Sequence, residues 1–282
     1  MKKLRDLLSR FGMNPFCSNS QISDDISRFK LPYEPYGKGD TERCVEIPWA
    51  MSCYHGEQKV LDVGYAHAEE RYIRELVGLS TPTLYGIDLV GKHIGSIVPV
   101  IGDIRKSPFN SSSFDLIFCI STIEHVGCDN AIYYKGPSPI EEFGDLRAIE
   151  EMSCMLKWNG KMVLTVPYGK YINYGWFIHY DEERIDKLIS ASNCEIIDQD
   201  FFIYKDGWRS CRKTDLRSIS YKDNGAPAAA GLACIVLKKK LRMSENVGSG
   251  RSSRPHPCPE TLQMPSIENM PRSLVGLCIL NE

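Results

Sequence analysis

Three aspartates and a glycine stand where β-rich runs end, and their residue types suit a nucleoside-like ligand. The run Lys59-Val-Leu-Asp-Val-Gly64 closes on Asp62 and Gly64. A glycine there lets the backbone approach a ligand closely, because no Cβ intrudes. The amides that open the following helix can take the carboxylate of an amino-acid-like ligand. Thr83-Leu-Tyr-Gly-Ile-Asp88 ends in a second acid. It is placed either to accept both ribose hydroxyls or to cap the next turn. A third acid, in Gly102-Asp103, precedes Ser107-Pro108-Phe109, and an aspartate beside a free amide can read the amino edge of adenine. The turn after the first run reads Gly64-Tyr-Ala-His-Ala-Glu69. It lacks the further glycines that let a backbone approach pyrophosphate, which argues against a dinucleotide.

A second set of residues has the character of an acceptor side. His125, in Ile123-Glu-His-Val126, follows the fourth β-rich run. It is a candidate general base, or a structural histidine bonded to a loop carbonyl. Glu124 beside it reads as a helix-start residue. The segment Tyr168 to Tyr180 gathers aromatic rings around two glycines. One reading is a cover of rings over the sheet. The other is an acceptor lid in which Tyr174 and Trp176 contact the substrate and His179 serves as a second candidate base.

Those residues need a scaffold, and the pattern supplies one. β-rich runs at 59–64, 83–88, 97–101, 114–120, 161–166, 194–204 and 232–237 alternate with helical stretches. One stretch, 68–77, places Tyr72, Ile73, Leu76 and Val77 on one face; another, 141–156, aligns Leu146, Ile149, Met152, Met155 and Leu156. Asn159-Gly160 then suits a left-handed C-cap. The alternation predicts an α/β, doubly wound, Rossmann-like sheet of seven mostly parallel strands with helices on both faces. The last strand is expected to be antiparallel and to pair at an edge. Residues 1–40 read as a helical and irregular lead-in, 41–240 as the domain, and 241–282, rich in Ser, Pro and Gly, as a disordered tail.

Composition narrows the class. The chain has 282 residues, 43% hydrophobic and 25% charged, with a formal net charge of −2. That balance supports a sizeable core and gives no global attraction for nucleic acid. The Lys238-Lys-Lys run reads as a solvated edge. Apolar stretches such as 114–120 are too short to span a bilayer, so no stable membrane insertion is expected. The first eleven residues lack the apolar region of a secretory signal. Eleven cysteines without a Cys-x-x-Cys pair predict reduced thiols in a cytoplasmic protein, and neither cysteine nor histidine spacing suggests a metal. The oligomeric state is left open.

The ordered series Gly102-Asp103, Ser107-Pro108-Phe109, Ser113-Phe114-Asp115 and Ile123-Glu124-His125-Val126 resembles the class I S-adenosylmethionine-dependent methyltransferases. The subgroup it is most similar to is the ubiquinone-biosynthesis-like, small-molecule type 11. Leu156-Lys-Trp-Asn-Gly160 and Met162-Val-Leu-Thr-Val-Pro167 are similar to that family's late helix and fifth strand. The resemblance covers 60–167 well and 168–240 loosely. It implies S-adenosyl-L-methionine as cofactor, with Asp62 and Gly64 framing the methionine moiety and Asp88 holding the ribose. Asp103 with the Ile104 amide would read adenine, and Ile120 and Ser121 would line the methyl-donor pocket. The implied activity is methyl transfer to oxygen or nitrogen of a small molecule, a sugar or glycan or a secondary metabolite. Ala66 and Ala68 stand where the family has glycines. That departure leaves a second reading, a degenerate family member acting as a binding or partner subunit. Nicotinamide-dependent oxidoreduction is a third, disfavoured by the missing glycines.

Overall fold

The computed structural model describes residues 29–136 and 140–240. Most of the lead-in, residues 1–28, and the tail from 241 lie outside these residues. Along the chain the elements are α1 (Arg43–Ser52), β1 (Lys59–Val63), α2 (Glu70–Val77), β2 (Thr83–Asp88), β3 (Val98–Ile101) and β4 (Phe114–Ile120). Then come α3 (Gly144–Met155), β5 (Leu156–Pro167), β6 (Ile172–Asn173), β7 (Ile178–His179), α4 (Glu182–Ser192), β8 (Cys194–Tyr204), β9 (Trp208–Cys211) and β10 (Gly231–Lys239).

Eight strands form the main sheet in the order β3-β2-β1-β4-β5-β10-β8-β9, and β6 and β7 form a small separate pair. β1 pairs in parallel with both β2 and β4, so the strand order reverses between β1 and β4. At such a reversal the crossover connections leave in opposite directions and a crevice opens at the strands' carboxyl ends. β10 runs antiparallel to β5 on one side and β8 on the other.

The expected architecture is present, with two differences in the strands. β9 is an additional strand that pairs with β8. The last strand, β10, is antiparallel as expected but central rather than at an edge. Its residues Gly231 to Leu237 are all buried, so neither face can be left to solvent. The edge falls to the short β9, where Tyr36 exchanges backbone hydrogen bonds of 2.9 and 2.7 Å with Trp208. The described end of the lead-in thus covers the edge, with Leu31 buried as well.

Alternation along the strands sends successive side chains to opposite faces, and both faces are covered. Leu61, Ile117, Cys119 and Leu164 pack with Ile149 and Met152 of α3 and with Leu188 of α4. Val60, Leu116, Phe118 and Val163 pack with Val45, Ile47 and Trp49 of α1 and with Leu76 of α2. A buried polar knot ties α3 to α4: Arg184 Nε and Tyr180 Oη donate to Asp145 Oδ2 at 2.9 and 2.8 Å, and Arg184 Nη2 to Oδ1.

Three local expectations change. The helix anticipated from residue 68 begins at Glu70, as α2, after a 3-10 turn at Tyr65–His67. Asn159-Gly160 does not cap α3, which ends at Met155 because fully buried Leu156 already pairs with Phe114 in the sheet. Asn159, at φ +63°, sits instead where the β4–β5 register shifts. α1 contains Pro48, a residue that reads as a helix breaker, so the sequence pattern gave no sign of it.

Candidate functional site

At the carboxyl ends of β1, β2 and β4 lies a cleft lined by Asp62, Gly64, Asp88, Asp103, Ile104, Ile120, Ser121 and His125 among others. These eight residues were singled out from sequence, and the fold brings them together. Tyr174 and Trp176 line a neighbouring depression that meets the cleft at Gly127. His179 lines neither.

Gly64 takes the left-handed conformation at φ +90°. A Cβ there would fall 2.5 Å from Thr122 Oγ1, so both backbone and space call for glycine. Asp62, two residues earlier, is 1% exposed. Tyr72 Oη donates to its Oδ1, and its Oδ2 has no hydrogen-bond partner. Burial pushes its carboxyl up to about 8, against the opposing effect of the Tyr72 bond. Asp88 accepts from the Ala66 amide at 3.1 Å and from the Val90 amide at 3.3 Å. Each of its oxygens keeps a lone pair for a ligand.

Asp103 is more heavily engaged. Its Oδ1 accepts from the Arg105 amide at 2.9 Å, while Arg105 Nε and Nη2 reach both oxygens at 2.5 to 3.0 Å. Burial alone would raise its carboxyl, but the Arg105 bonds hold it below the usual range. Arg105 also pairs with Glu141 at 3.0 Å.

Ser121 closes β4 at φ +42°, a strained value for a non-glycine residue. Its amide donates to Thr165 Oγ1 at 2.9 Å, and its hydroxyl to Glu46 Oε2 at 2.7 Å. Thr165 Oγ1 donates to the same Glu46 oxygen at 2.8 Å. Glu46, wholly buried on α1, pairs through Oε1 with Arg43 Nη1. Arg43 is itself a lining residue of the cleft. Burial works against its charge, yet the carboxylates of Glu46, Glu42 and Glu124 raise its pKa. Burial pushes Glu42 up to about 7 and Glu124 well above the carboxylate range. Sequence reasoning missed this arm of the site; the signal available was an Arg43-x-x-Glu46 pair at one-turn spacing.

His125 is held by Trp176, whose carbonyl lies 2.8 Å from Nδ1. A carbonyl can only accept, so Nδ1 carries the proton and Nε2 the lone pair. Rings of Tyr133 and Trp176 stand 5.3 and 5.4 Å away, and burial lowers the imidazole to about 4. At that value the imidazole is neutral at physiological pH. His179 is fully buried, with Nδ1 against the Lys170 carbonyl at 2.8 Å and Nε2 unpartnered. It belongs to the 168–180 loop itself, where it pairs with Ile172 across β6 and β7. Tyr174 stacks on Phe177 at 4.7 Å.

Among the described residues no group of three or more His, Cys, Asp or Glu side chains can hold a metal, and no helix is long and apolar enough to cross a membrane.

Residues 88–195 match a family model described as Caenorhabditis protein of unknown function, DUF268. No curated protein matches the chain. Among solved structures it is similar to a 1,6-didemethyltoxoflavin-N1-methyltransferase of Burkholderia thailandensis with S-adenosylhomocysteine bound. The TM-score is 0.48 and the identity 12%, over 70% of this chain and 79% of that one. A methyltransferase of Methanosarcina mazei gives 0.47 and 15%, over 69% and 98%. The N-methyltransferase NodS of Bradyrhizobium japonicum WM9, complexed with S-adenosylhomocysteine, gives 0.44 and 12%, over 71% and 87%. Similarity of this degree says nothing of substrate; the architecture stands on the strand order itself.

Proposed function

We propose that this chain is an S-adenosylmethionine-dependent methyltransferase of the type 11, small-molecule kind, acting on oxygen or nitrogen of a sugar, glycan or secondary metabolite. The observation that carries the reading is one cleft holding an unpartnered, buried Asp62 Oδ2 beside a glycine cradle, with Asp88 at the end of the adjacent strand. A buried carboxylate oxygen without a donor is costly unless a ligand supplies one. A ligand ammonium is a donor of the right charge, and Gly64 leaves room for the chain that bears it. The residues present therefore fit an amino-acid nucleoside.

When bound, S-adenosylmethionine supplies a methyl group on a sulfonium, ready for in-line displacement. The protein's part is then alignment and exclusion of water. Asp62 Oδ2 accepts from the ammonium, and Asp88 accepts from the ribose hydroxyls with its two open lone pairs. Asp103 has its lone-pair positions met by Arg105, so an adenine amino group must share a bond with that guanidinium. The neighbouring Ile104 amide supplies a donor on the same edge. Ile120 and Ser121 close the donor end of the cleft. His125 Nε2, neutral at physiological pH, accepts from an acceptor hydroxyl and orients it. A larger acceptor reaches Tyr174 and Trp176 across Gly127.

Calorimetric titration tests the proposal. Purified protein should bind S-adenosylhomocysteine and not NAD. Binding of NAD alone, or of neither, refutes it.

A further inference from the structure

The proposed cofactor carries a carboxylate as well as an ammonium, and the cleft holds one cation positioned to receive it. Among the lining residues, Arg105 is committed to Asp103 and Glu141. Arg43 is different. Only its Nη1 is engaged, by Glu46, and no other nitrogen of its guanidinium has a hydrogen-bond partner among the described residues. A third of its side chain is exposed while Glu46 is wholly buried, and Arg43 itself lines the cleft.

The guanidinium is also fixed in place. Glu46 accepts from Ser121, at the end of β4, and from Thr165 of β5 at 2.7 and 2.8 Å, and this two-bond anchor leaves its other oxygen to Arg43. A planar fork held by one carboxylate on one edge presents its remaining edge with little further loss of side-chain freedom. That edge matches a second carboxylate in two parallel bonds. Asp62, whose buried Oδ2 has no hydrogen-bond partner, lines the same cleft. A donor-rich and an acceptor-only group on one cleft are complementary to the two ends of an amino-acid zwitterion.

We infer that Arg43 receives the α-carboxylate of the cofactor's methionine moiety, held ready by the Glu46–Ser121–Thr165 anchor. The inference rests on the methyltransferase reading and assigns α1 a place in its binding site. A carboxylate on the acceptor would suit the same guanidinium, so the experiment separates the two sources.

Two ligands suffice: S-adenosylhomocysteine, and 5′-methylthioadenosine, which keeps the nucleoside and sulfur but lacks the amino-acid end. Affinities of both are measured by calorimetry for wild type, Arg43→Gln and Arg43→Lys, with thermal melting to follow folding. Arg43→Gln should weaken S-adenosylhomocysteine by about tenfold or more, the loss of charge-assisted bonds, and leave methylthioadenosine within about twofold. Arg43→Lys keeps the pair with Glu46 but not the fork, and should lose about threefold or more for S-adenosylhomocysteine alone. It decides the matter should the glutamine variant fail to fold. Unchanged S-adenosylhomocysteine affinity in a folded variant overturns the inference and assigns Arg43 to the acceptor. Equal losses for both ligands overturn it too, as a structural effect. Wild type that binds neither ligand removes the methyltransferase reading itself, and the inference with it.

Discussion

Replacing Asp62 by asparagine should make the protein more stable and a poorer binder, and the stability gain should depend on pH. The Asp62 carboxyl moves from an ordinary 3.8 to about 8 because it is buried with one oxygen unpartnered. Between those values the folded protein holds a proton that the unfolded chain has released. Stability therefore falls as pH rises through that window. Asparagine cannot ionise, and its carbonyl still accepts from Tyr72. The difference between variant and wild type should thus grow from pH 5 to pH 8. At 1.36 kcal/mol per pH unit its upper bound is about 4 kcal/mol over those three units. Relaxation around the ionised group reduces this to about 2 kcal/mol. At about 2–4 °C per kcal/mol for a domain of this size, the melting difference should widen by roughly 4–8 °C. In the same variant S-adenosylhomocysteine should bind about tenfold or more weaker, because the ammonium loses a charged acceptor. Differential scanning fluorimetry across pH, paired with calorimetry, reads both effects. Melting curves of the two proteins that stay parallel from pH 5 to 8 would refute the reasoning about Asp62.

Three further outcomes are expected. Asp88→Ala should weaken S-adenosylhomocysteine by about tenfold or more, through the loss of two hydroxyl bonds, and unchanged affinity by calorimetry would remove Asp88 from the ribose site. For a hydroxyl acceptor, His125→Ala should lower turnover roughly a hundredfold with cofactor affinity intact. Because burial holds His125 at about 4, the lone pair is lost only as pH falls through that value. The ascending limb of the wild-type rate profile should then lie near pH 4 and vanish in the variant; a limb near neutrality would exclude His125 as its source. Asp145→Ala strips Arg184 and Tyr180 of a buried partner and should cost about 3–5 kcal/mol; a melting temperature lowered by less than about 5 °C would show the knot to be dispensable.

How much of this was legible in the chain follows from how local each feature is. Strands at 59–63, 83–88 and 114–120, and the acids or glycine at their ends, are written in short-range patterns of apolar alternation and strand-end residue types. The doubly wound class and the gathering of Asp62, Gly64, Asp88, Asp103 and His125 follow from that alternation. Parallel strands joined by crossover helices put every carboxyl end on one side. Tertiary structure decided the rest. β10 occupies the centre of its half of the sheet because burial on both faces outweighs sequence order. Asn159-Gly160 lost its role as helix stop to the pairing of Leu156 with Phe114. His179 carries the same chemistry as His125 in sequence, but only the fold shows the first buried away from the cleft and the second lining it. The α1 arm was the least visible. The use of Arg43 and Glu46 depends on Ser121 and Thr165, 75 and 119 residues from Glu46 in the chain. A hydrogen-bond network of that span has no periodicity to betray it; only packing α1 across the ends of β4 and β5 brings its members within reach.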